Sequence, residues 1–225
     1  MRMKKPFMLL VALMPILLYG QKTKLIKDDL NNEEYNVLKS NSSIMHGEYK
    51  KFSKSGTLQI LGYYNNGVED SIWSFYTSKG DLIQKYNVTK RDIVYFRLDE
   101  NEQYKTYKII NGLDNPNVIL DRPPLFIGGN DFLTYEIGKR IRYPKEAVEN
   151  GITGKVYVSF VIDKSGNTNS FKILKSLGFG LDKEVLRVLQ SLPHNWLPGI
   201  YKGNPVDVEY IYPVSFNLQT LYLDK

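Results

Sequence analysis

Regular alternation of apolar and polar residues constrains one stretch of this chain more than any other. Residues 156–162 place Val156, Val158, Phe160 and Ile162 at every second position, and the sequence DKSGN follows. A period of two is typical of a β-strand with one buried face, and Asp, Ser, Gly and Asn are frequent in turns. The segment TNSFKILKS then places Phe171 and Ile173 two residues apart, on the face predicted to be buried. The sequence therefore predicts an antiparallel hairpin.

The alternation returns near the end of the chain, in residues 206–216. The residues on the side predicted to be buried are Val206, Val208, Tyr210, Tyr212, Val214 and Phe216. Asp207, Glu209 and Ser215 mark the opposite side. This pattern predicts a third half-buried strand.

Three segments around these strands have helical spacing. In NDFLTYEIGKRI, Asn130 is the expected N-cap, and Leu133, Ile137 and Ile141 share one helix face. PKEAVEN opens with Pro144, which is tolerated at the first position of a helix, and GLDKEVLRVLQSL carries an apolar stripe. The order helix, helix, strand, strand, helix, strand predicts an α+β domain, a three-stranded antiparallel sheet with helices on one face.

Such a sheet has two edges, and each edge presents backbone N–H and C=O groups without partners. A long strand at the edge can accept an extended peptide as an additional strand. Backbone pairing of this kind requires no nucleophile, cofactor or metal ion. The pattern therefore favours a protein-binding function, and a homodimer formed through the sheet edge is one form that it can take.

An internal repeat precedes this domain. The segments GEYKKFSKSGTL and SIWSFYTSKGDL are offset by 24 residues, so that Tyr49 matches Trp73 and Gly56 matches Gly80. Asn66-Gly67 between them is a strong hairpin signal. Each unit predicts strand, turn, strand, and the pattern resembles MORN-type repeats. Its aromatic rings have two interpretations, which are cross-strand packing and the binding of a glycan or a peptide.

The C-terminal segments resemble the C-terminal domain of the TonB energy-transducer family, in the form found in Bacteroidetes-type bacteria. The residues that carry the resemblance lie in PPLFIGGNDFLTY, YPKEAVENGITGKVYVSFVIDKSGN, LGFGLDKEVLRVL and LPHNWLPGIYKGNPVDVEYIYPVSFNL, over about residues 123–218. The resemblance implies a periplasmic domain that pairs by strand addition with an outer-membrane TonB-dependent receptor or another envelope protein, in transmembrane transport.

The resemblance also implies where the partner binds, because the last strand is the usual pairing edge of that family. The implied partner-binding residues are Val206, Asp207, Val208, Glu209, Tyr210, Ile211 and Tyr212. Trp196, Pro198 and Gly199 are expected to form a rigid approach to that strand. Family members that transduce energy keep a membrane anchor, so an envelope adaptor or scaffold without energy transduction is the alternative function.

The N-terminus has the pattern of a secretory signal peptide. A basic head, MRMKK, precedes an apolar run over residues 7–19, which is shorter than the roughly 20 residues of a transmembrane helix. A small residue, Gly20, follows, and we expect cleavage between Gly20 and Gln21. The expected localisation is the periplasm, with membrane association if this segment is not cleaved.

These patterns divide the chain into a signal peptide (1–20), a lead-in segment (21–45), a β-hairpin repeat module with its connector (46–120) and the TonB C-terminal-like domain (121–220). The boundary near residue 120 is placed at LDRPPLFIGGN, where two prolines and two glycines interrupt regular structure.

Little in the sequence supports catalysis, a cofactor or nucleic-acid binding. The chain has no cysteine, its two histidines (His46 and His194) fall in different modules, and the +6 formal charge is spread among acids rather than clustered. A hydrolase that acts through Asp163 and Asp182 is the enzyme alternative. However, Asp163 lies in a predicted turn and Asp182 in the first turn of a predicted helix, where each has a structural use. We therefore expect no enzyme, no metal site and no cofactor.

Overall fold

The structure, a computed structural model, describes residues 21–98, 105–110, 114, 116–193 and 195–218. The predicted signal peptide at residues 1–20, and with it Gly20, lies outside the described residues, as does His194. Within the described ranges, no helix is long and apolar enough to span a membrane.

The first part of the chain forms one antiparallel sheet of seven strands in sequence order. Its strands are β1 (Thr23–Asp28), β2 (Glu33–Leu38), β3 (Asn41–Phe52), β4 (Leu58–Asn65), β5 (Val68–Tyr76), β6 (Leu82–Asn87) and β7 (Asp92–Phe96). Residues 21–45, expected to be a lead-in segment, therefore contribute β1, β2 and the start of β3. Each of these strands completes the backbone hydrogen bonds of its neighbour.

The internal repeat has a structural counterpart in two equivalent turns. The N–H of Ser53 donates to the carbonyl of Thr57 (2.8 Å), and 24 residues later the N–H of Thr77 donates to the carbonyl of Asp81 (2.8 Å). Both turns place a glycine in the left-handed region, with φ of 82° and 91°, which suits a residue without Cβ. The predicted strand, turn, strand unit is thus present twice.

The hairpin predicted at Asn66-Gly67 joins β4 to β5. Both residues have positive φ (51° and 83°), as a two-residue turn of this class requires. The N–H of Asn66 donates to Nδ1 of His46 at 3.2 Å. His46 therefore has a structural role, because it holds this turn against β3.

One face of the seven-stranded sheet carries a row of aromatic side chains. Tyr35 stands opposite Tyr49, Tyr49 opposite Gly62, and Trp73 opposite Tyr86. The ring of Trp73 lies over Gly62, where a Cβ atom would come within 2.4 Å of Cδ2 of the indole. Gly62 is therefore needed for close approach of the ring to the backbone.

The remaining elements form the second part of the fold. They are β8 (Tyr107–Ile109), β9 (Asn117–Val118), β10 (Leu125–Phe126), α1 (Gly129–Arg140), α2 (Lys145–Glu149), β11 (Gly154–Ile162), β12 (Thr168–Lys175), α3 (Leu181–Ser191), β13 (Trp196–Leu197), β14 (Gly199–Tyr201), β15 (Asn204–Val206) and β16 (Val208–Phe216). The main sheet has the order β12-β11-β16-β8-β9.

The predicted α+β class is therefore correct, but the predicted sheet of three strands is two strands too small. The three predicted strands, β12, β11 and β16, are adjacent and antiparallel. The additional strands, β8 and β9, come from a segment that the sequence assigned to the connector of the repeat module. They span three and two residues, which is too short for a period to show.

The core of this domain lies between the sheet and its helices. The alternating residues of β11 and β16 supply one side of it, and α1, α2 and α3 supply the other. Its most buried members include Leu133, Ala147, Val156, Val158, Ile162, Leu181, Val185, Val188 and Val208. The predicted inward faces of both strands and of α3 are confirmed.

The start of α1 differs from the prediction. The helix begins at Gly129 after Gly128, which has φ of 99° and makes no side-chain cap. Asn130 therefore lies inside the first turn and is not the N-cap. Gly128 can take this left-handed conformation because it has no Cβ, and its N–H donates to Oε1 of Gln84 at 2.6 Å.

Gln84 joins the two parts of the fold. Its side chain is 1% exposed, accepts the N–H of Gly128 and donates from Nε2 to the carbonyl of Phe126 (3.2 Å). Leu197 adds an apolar contact, because it packs with the aromatic residues of the first sheet. Buried and paired polar groups of this kind fix a relative orientation.

Candidate functional site

The candidate site is the outer edge of β16, which faces away from β11. Side chains along β16 alternate strictly, with Val208, Tyr210, Tyr212, Val214 and Phe216 buried. Backbone groups alternate as well, since successive residues of a strand direct their N–H and C=O groups to opposite neighbours. One face of the strand is therefore fixed in the core, and every second residue offers its backbone to the edge.

The residues that face the outer edge can be identified from one hydrogen bond. The N–H of Ile110 donates to the carbonyl of Asp207 at 2.8 Å, so Asp207 faces the edge. By alternation, Glu209, Ile211 and Ser215 face it too, as does Pro213. Proline has no N–H and is tolerated where it breaks no ladder bond, which explains how Pro213 fits within a nine-residue strand.

The first part of this edge is already paired within the chain. Ile109 stands opposite Val208, and Lys108 stands opposite Glu209. Nζ of Lys108 also lies 3.7 Å from Oε2 of Glu209. The expectation of an open edge along residues 206–212 therefore needs correction, because the segment around β8 takes the edge-facing backbone groups of Asp207 and Glu209. The sequence could not show this, since periodicity identifies a strand but not its neighbour.

Side-chain contacts extend the section of β16 that is covered by β8 to Tyr210. The rings of Tyr107 and Tyr210 are stacked, with centroids 6.3 Å apart, and Nζ of Lys105 lies 5.0 Å and 5.4 Å from the two ring centroids. Beyond this point the described part of the chain forms no strand beside residues 211–215 on that side. Ile211 is 48% exposed there.

Val206 belongs to a different element. It pairs with Gly199 in the small β14–β15 hairpin, one residue before Asp207, whose carboxylate accepts the N–H of Lys164 at 2.8 Å. The seven predicted residues therefore divide into a hairpin residue, a covered section and an exposed section. Ile211 and Tyr212 lie beyond the covered section, but only Ile211 offers its backbone to the edge, because Tyr212 is buried and its backbone faces β11.

Packing behind the edge makes β16 rigid. Trp196 is buried and its ring lies 5.0 Å from that of Tyr210. A Cβ atom at Gly199 would approach Cγ2 of Val208 to 2.8 Å, so glycine is required there. These contacts agree with the expected role of Trp196 and Gly199 as a rigid approach to the strand. The carbonyl of Pro198 likewise accepts a hydrogen bond from Arg122 (2.9 Å).

Tyr212 ties the strand to α1. Its hydroxyl is 2.7 Å from Oγ1 of Thr134, and burial raises its pKa above the ordinary value, partly offset by that hydrogen bond. The phenol therefore stays protonated at neutral pH. A neutral hydrogen bond therefore holds β16 against α1.

The carboxylates considered for catalysis are separately engaged. Asp163 accepts hydrogen bonds from the N–H groups of Ser165 and Asn167. Burial raises its pKa, but these bonds outweigh that effect and hold the pKa below the ordinary value. Asp182 instead accepts from Ser176 and from the N–H of Leu177. Within the described ranges, no group of three His, Cys, Asp or Glu residues could hold a metal ion.

The sheet has a second long edge at β12. This strand ends the sheet order, and two register shifts interrupt its pairing with β11. Lys172 and Lys175 lie along it, and Leu174 is 53% exposed. Irregular pairing and lysines are features that discourage strand addition, so β16 is the better candidate edge.

The described geometry defines a class of protein: an α+β domain whose last strand is backed by a rigid core and offers part of one edge. Residues 139–218 match the family model described as the Gram-negative bacterial TonB protein C-terminal. This match extends from the end of α1 through β16. The prediction of a TonB C-terminal-type domain is thereby confirmed for these residues.

Among solved structures, the chain is similar to the NMR solution structure of the Helicobacter pylori TonB C-terminal domain. The two share 26% sequence identity over 40% of this chain and 92% of that chain, with a TM-score of 0.32. No curated protein matches the chain.

Proposed function

We propose that this chain is a periplasmic protein-binding module of the TonB type, which pairs with an extended segment of an outer-membrane receptor by strand addition. The family match over residues 139–218 supports this proposal. The single observation that carries it is the exposed outer edge of β16 at residues 211–215, beyond the section that β8 covers.

The geometry gives the proposal a register. An incoming strand would use the N–H and C=O groups of Ile211, the carbonyl of Pro213 and both groups of Ser215. Because Pro213 offers no N–H, a partner carbonyl opposite it would remain without a donor. A preferred partner strand therefore places a carbonyl opposite Pro213 where water can bond it.

A pull-down with plug-segment peptides of outer-membrane receptors tests the proposal. Ile211→Pro removes an edge-facing N–H and leaves the β11 ladder intact, so we expect it to abolish capture. Ile211→Ala is the matched control, since it shortens the exposed side chain and keeps the N–H. Equal capture by both variants would contradict pairing at this edge.

Glu209→Pro tests the covered section separately. If the partner displaces β8 and pairs along the whole strand, this change also prevents capture. If the partner pairs only beyond β8, capture is retained. Together the two proline variants locate the partner strand to within a few residues.

An envelope adaptor without energy transduction is the alternative. Its support is the N-terminal run at residues 7–19, which is short for a membrane anchor. In this alternative the protein is exported and cleaved before Gln21, and the repeat module, with its MORN-type resemblance, provides a second protein-docking surface. N-terminal sequencing with membrane fractionation distinguishes the two, because transduction requires an intact N-terminus in the inner membrane.

We also propose that the protein is not an enzyme and needs no cofactor. The separate hydrogen bonding of Asp163 and Asp182 supports this. A homodimer through the edge of β16 would use the same backbone groups as the receptor, so the two would compete. Analytical ultracentrifugation with and without the plug peptide tests that competition.

A further inference from the structure

A cleft lies between the aromatic face of the seven-stranded sheet and α1, beside the contact of Phe75 with Phe132. Its volume is about 270 Å³, just below the usual range of about 300–1,000 Å³ for small-molecule sites. The sheet contributes Tyr49, Lys51, Ile60, Tyr64, Glu69, Trp73, Phe75, Tyr86 and Val88 to its walls. The opposite wall consists of Ile127, Phe132, Tyr135, Glu136, Lys139 and Asn195.

Aromatic rings dominate both walls. On the sheet, Trp73 is stacked on Tyr49 (5.5 Å) and meets the edge of Tyr64 (5.3 Å). On the helix, Tyr135 is stacked on Phe132 (6.1 Å) and remains 44% exposed. The stacked pairs hold the rings in place before any ligand arrives, so binding would require little reorganisation.

Several polar groups of the sheet wall have no side-chain hydrogen bond to the described part of the chain. They are the hydroxyls of Tyr64 and Tyr86 and the carboxylate of Glu69. The indole N–H of Trp73 also has no partner, but it is buried behind the surface of the cleft. Asn195 adds a side-chain amide on the other side. Buried donors without partners are rare. The cleft therefore contains both donors and acceptors for a ligand.

Glu69 stands next to these hydroxyls. It is directly opposite Tyr64 in the pairing of β4 with β5. Much of its side chain is exposed, yet the cleft desolvates the carboxylate enough to raise its pKa. Burial, with a smaller contribution from Glu69, raises the pKa of Tyr64 to about 12. Both groups are thus arranged as hydrogen-bonding partners: the phenol is neutral, and the carboxylate can accept.

The charges around the cleft balance. Two lysines, Lys51 and Lys139, and two glutamates, Glu69 and Glu136, line it. Lys51 is committed to Glu33, with Nζ and Oε1 2.7 Å apart, and Glu136 forms an ion pair with Arg140. An anion would meet two carboxylates, and a cation would meet two ammonium groups. Neither sign of charge is favoured.

We propose that this cleft binds a neutral saccharide. Aromatic walls pack against the C–H faces of a sugar ring, while the tyrosine hydroxyls, Glu69 and Asn195 bond its hydroxyls. An acyl chain would leave these polar groups buried without partners, which is costly. This activity is separate from strand pairing, because the cleft lies on the first sheet and α1 and not on the edge of β16.

The chain supplies its own spectroscopic probe, because its two tryptophans are Trp73 and Trp196. Trp73 lines the cleft, and Trp196 lies in the core of the C-terminal domain. Two indole N–H signals of the isotope-labelled full chain would be followed by NMR during titration with maltose and with diacetylchitobiose. We expect a saturable shift of the Trp73 signal and a constant Trp196 signal.

Tyr64→Phe and Tyr86→Phe remove single hydroxyls from the cleft. Each is expected to weaken saccharide binding about three- to tenfold, the usual effect of one hydrogen bond. Tyr63→Phe is the matched control. Tyr63 is the neighbour of Tyr64 in β4, so its side chain lies on the opposite face of the sheet, where it is 42% exposed. This control should bind like the original protein.

Three outcomes would overturn the proposal. The first is an unchanged Trp73 signal at sugar concentrations up to about 10 mM, tenfold above a Kd of about 1 mM. The second is an equal loss of sugar affinity in Tyr63→Phe and in Tyr64→Phe. The third is a saturable shift with decanoate or inorganic phosphate and none with the sugars, which would assign the cleft to another ligand class.

Discussion

Lys108 stands directly opposite Glu209 where β8 covers β16, and its Nζ lies 3.7 Å from Oε2 of that residue. The pair places a segment of the chain itself on the edge that we propose for partner binding. Both side chains are partly exposed, so the ion pair contributes little. The backbone pairing and the burial of Tyr107 and Ile109 in the core hold β8 in place. The cover is short, and a single substitution can weaken its backbone pairing.

The first prediction concerns removal of this cover. Lys108→Pro deletes the N–H that faces β16, so we expect faster amide exchange at Glu209, measured by hydrogen exchange with NMR. If β8 competes with the partner, affinity for a plug peptide should rise about three- to tenfold. Lys108→Ala keeps the N–H and should change neither quantity. Weaker peptide binding in Lys108→Pro would mean that β8 belongs to the binding surface.

The second prediction compares two glycines. A Cβ at Gly62 would meet the indole of Trp73 at 2.4 Å, whereas a Cβ at Gly138 in α1 meets no atom within 4 Å. Gly62→Ala should destabilise the protein by about 2 kcal/mol or more, because it overpacks the sheet face. Gly138→Ala should stabilise it by about 0.5–1 kcal/mol. Urea denaturation measures both, and changes of the same sign would refute the packing described at Trp73.

The third prediction addresses the contact between the two parts of the fold. Gln84→Ala leaves the N–H of Gly128 and the carbonyl of Phe126 without their buried partner. We expect a loss of about 2–3 kcal/mol, seen by thermal denaturation. Lys85→Ala, one residue further along β6, is the control and should cost less than about 0.5 kcal/mol. Similar losses in the two variants would argue against a specific role for Gln84.

The fourth prediction is a pH dependence at Glu184. Hydrogen bonds from Arg187, and then from the N–H of Arg142 (2.6 Å), lower the pKa of this carboxyl. A lowered pKa in the folded state stabilises the protein above the unfolded pKa, and the contribution is lost as the pH falls through the folded value.

Glu184→Gln should therefore cost about 1 kcal/mol at pH 7, and the difference from the original protein should vanish in acid, below the lowered pKa. Denaturation at a series of pH values measures this. A difference that persists unchanged in acid would show that the side chain acts through packing and not through its charge.

Sequence alone predicted the parts of this fold in which a periodic pattern extends over many residues. The alternation at Val156 to Ile162 and again along β16 is set by burial of one face, and it appears in the sequence because the apolar residues must match it. The turn at Asn66-Gly67 was equally clear, since positive φ at two successive residues restricts the residues that can fill it.

Features that depend on distant contacts were not predictable. The pairing of Lys108 with Glu209 joins residues about 100 positions apart, and a three-residue strand has no detectable period. In the sequence, Gln84 is a polar residue within a strand, and no pattern indicates that its side chain is buried. Asn130 was an attractive cap by residue type, but the left-handed Gly128 starts the helix earlier.

Amide exchange along β16, with and without a receptor plug peptide, shows whether a partner strand adds to this edge. Tyr212 and Val214 already bond β11 and should change little, whereas Ile211 and Ser215 face the outer edge. We expect the peptide to slow exchange at Ile211 and Ser215 selectively. Peptide binding that leaves these two amides fast, or that protects β12 instead, would contradict it.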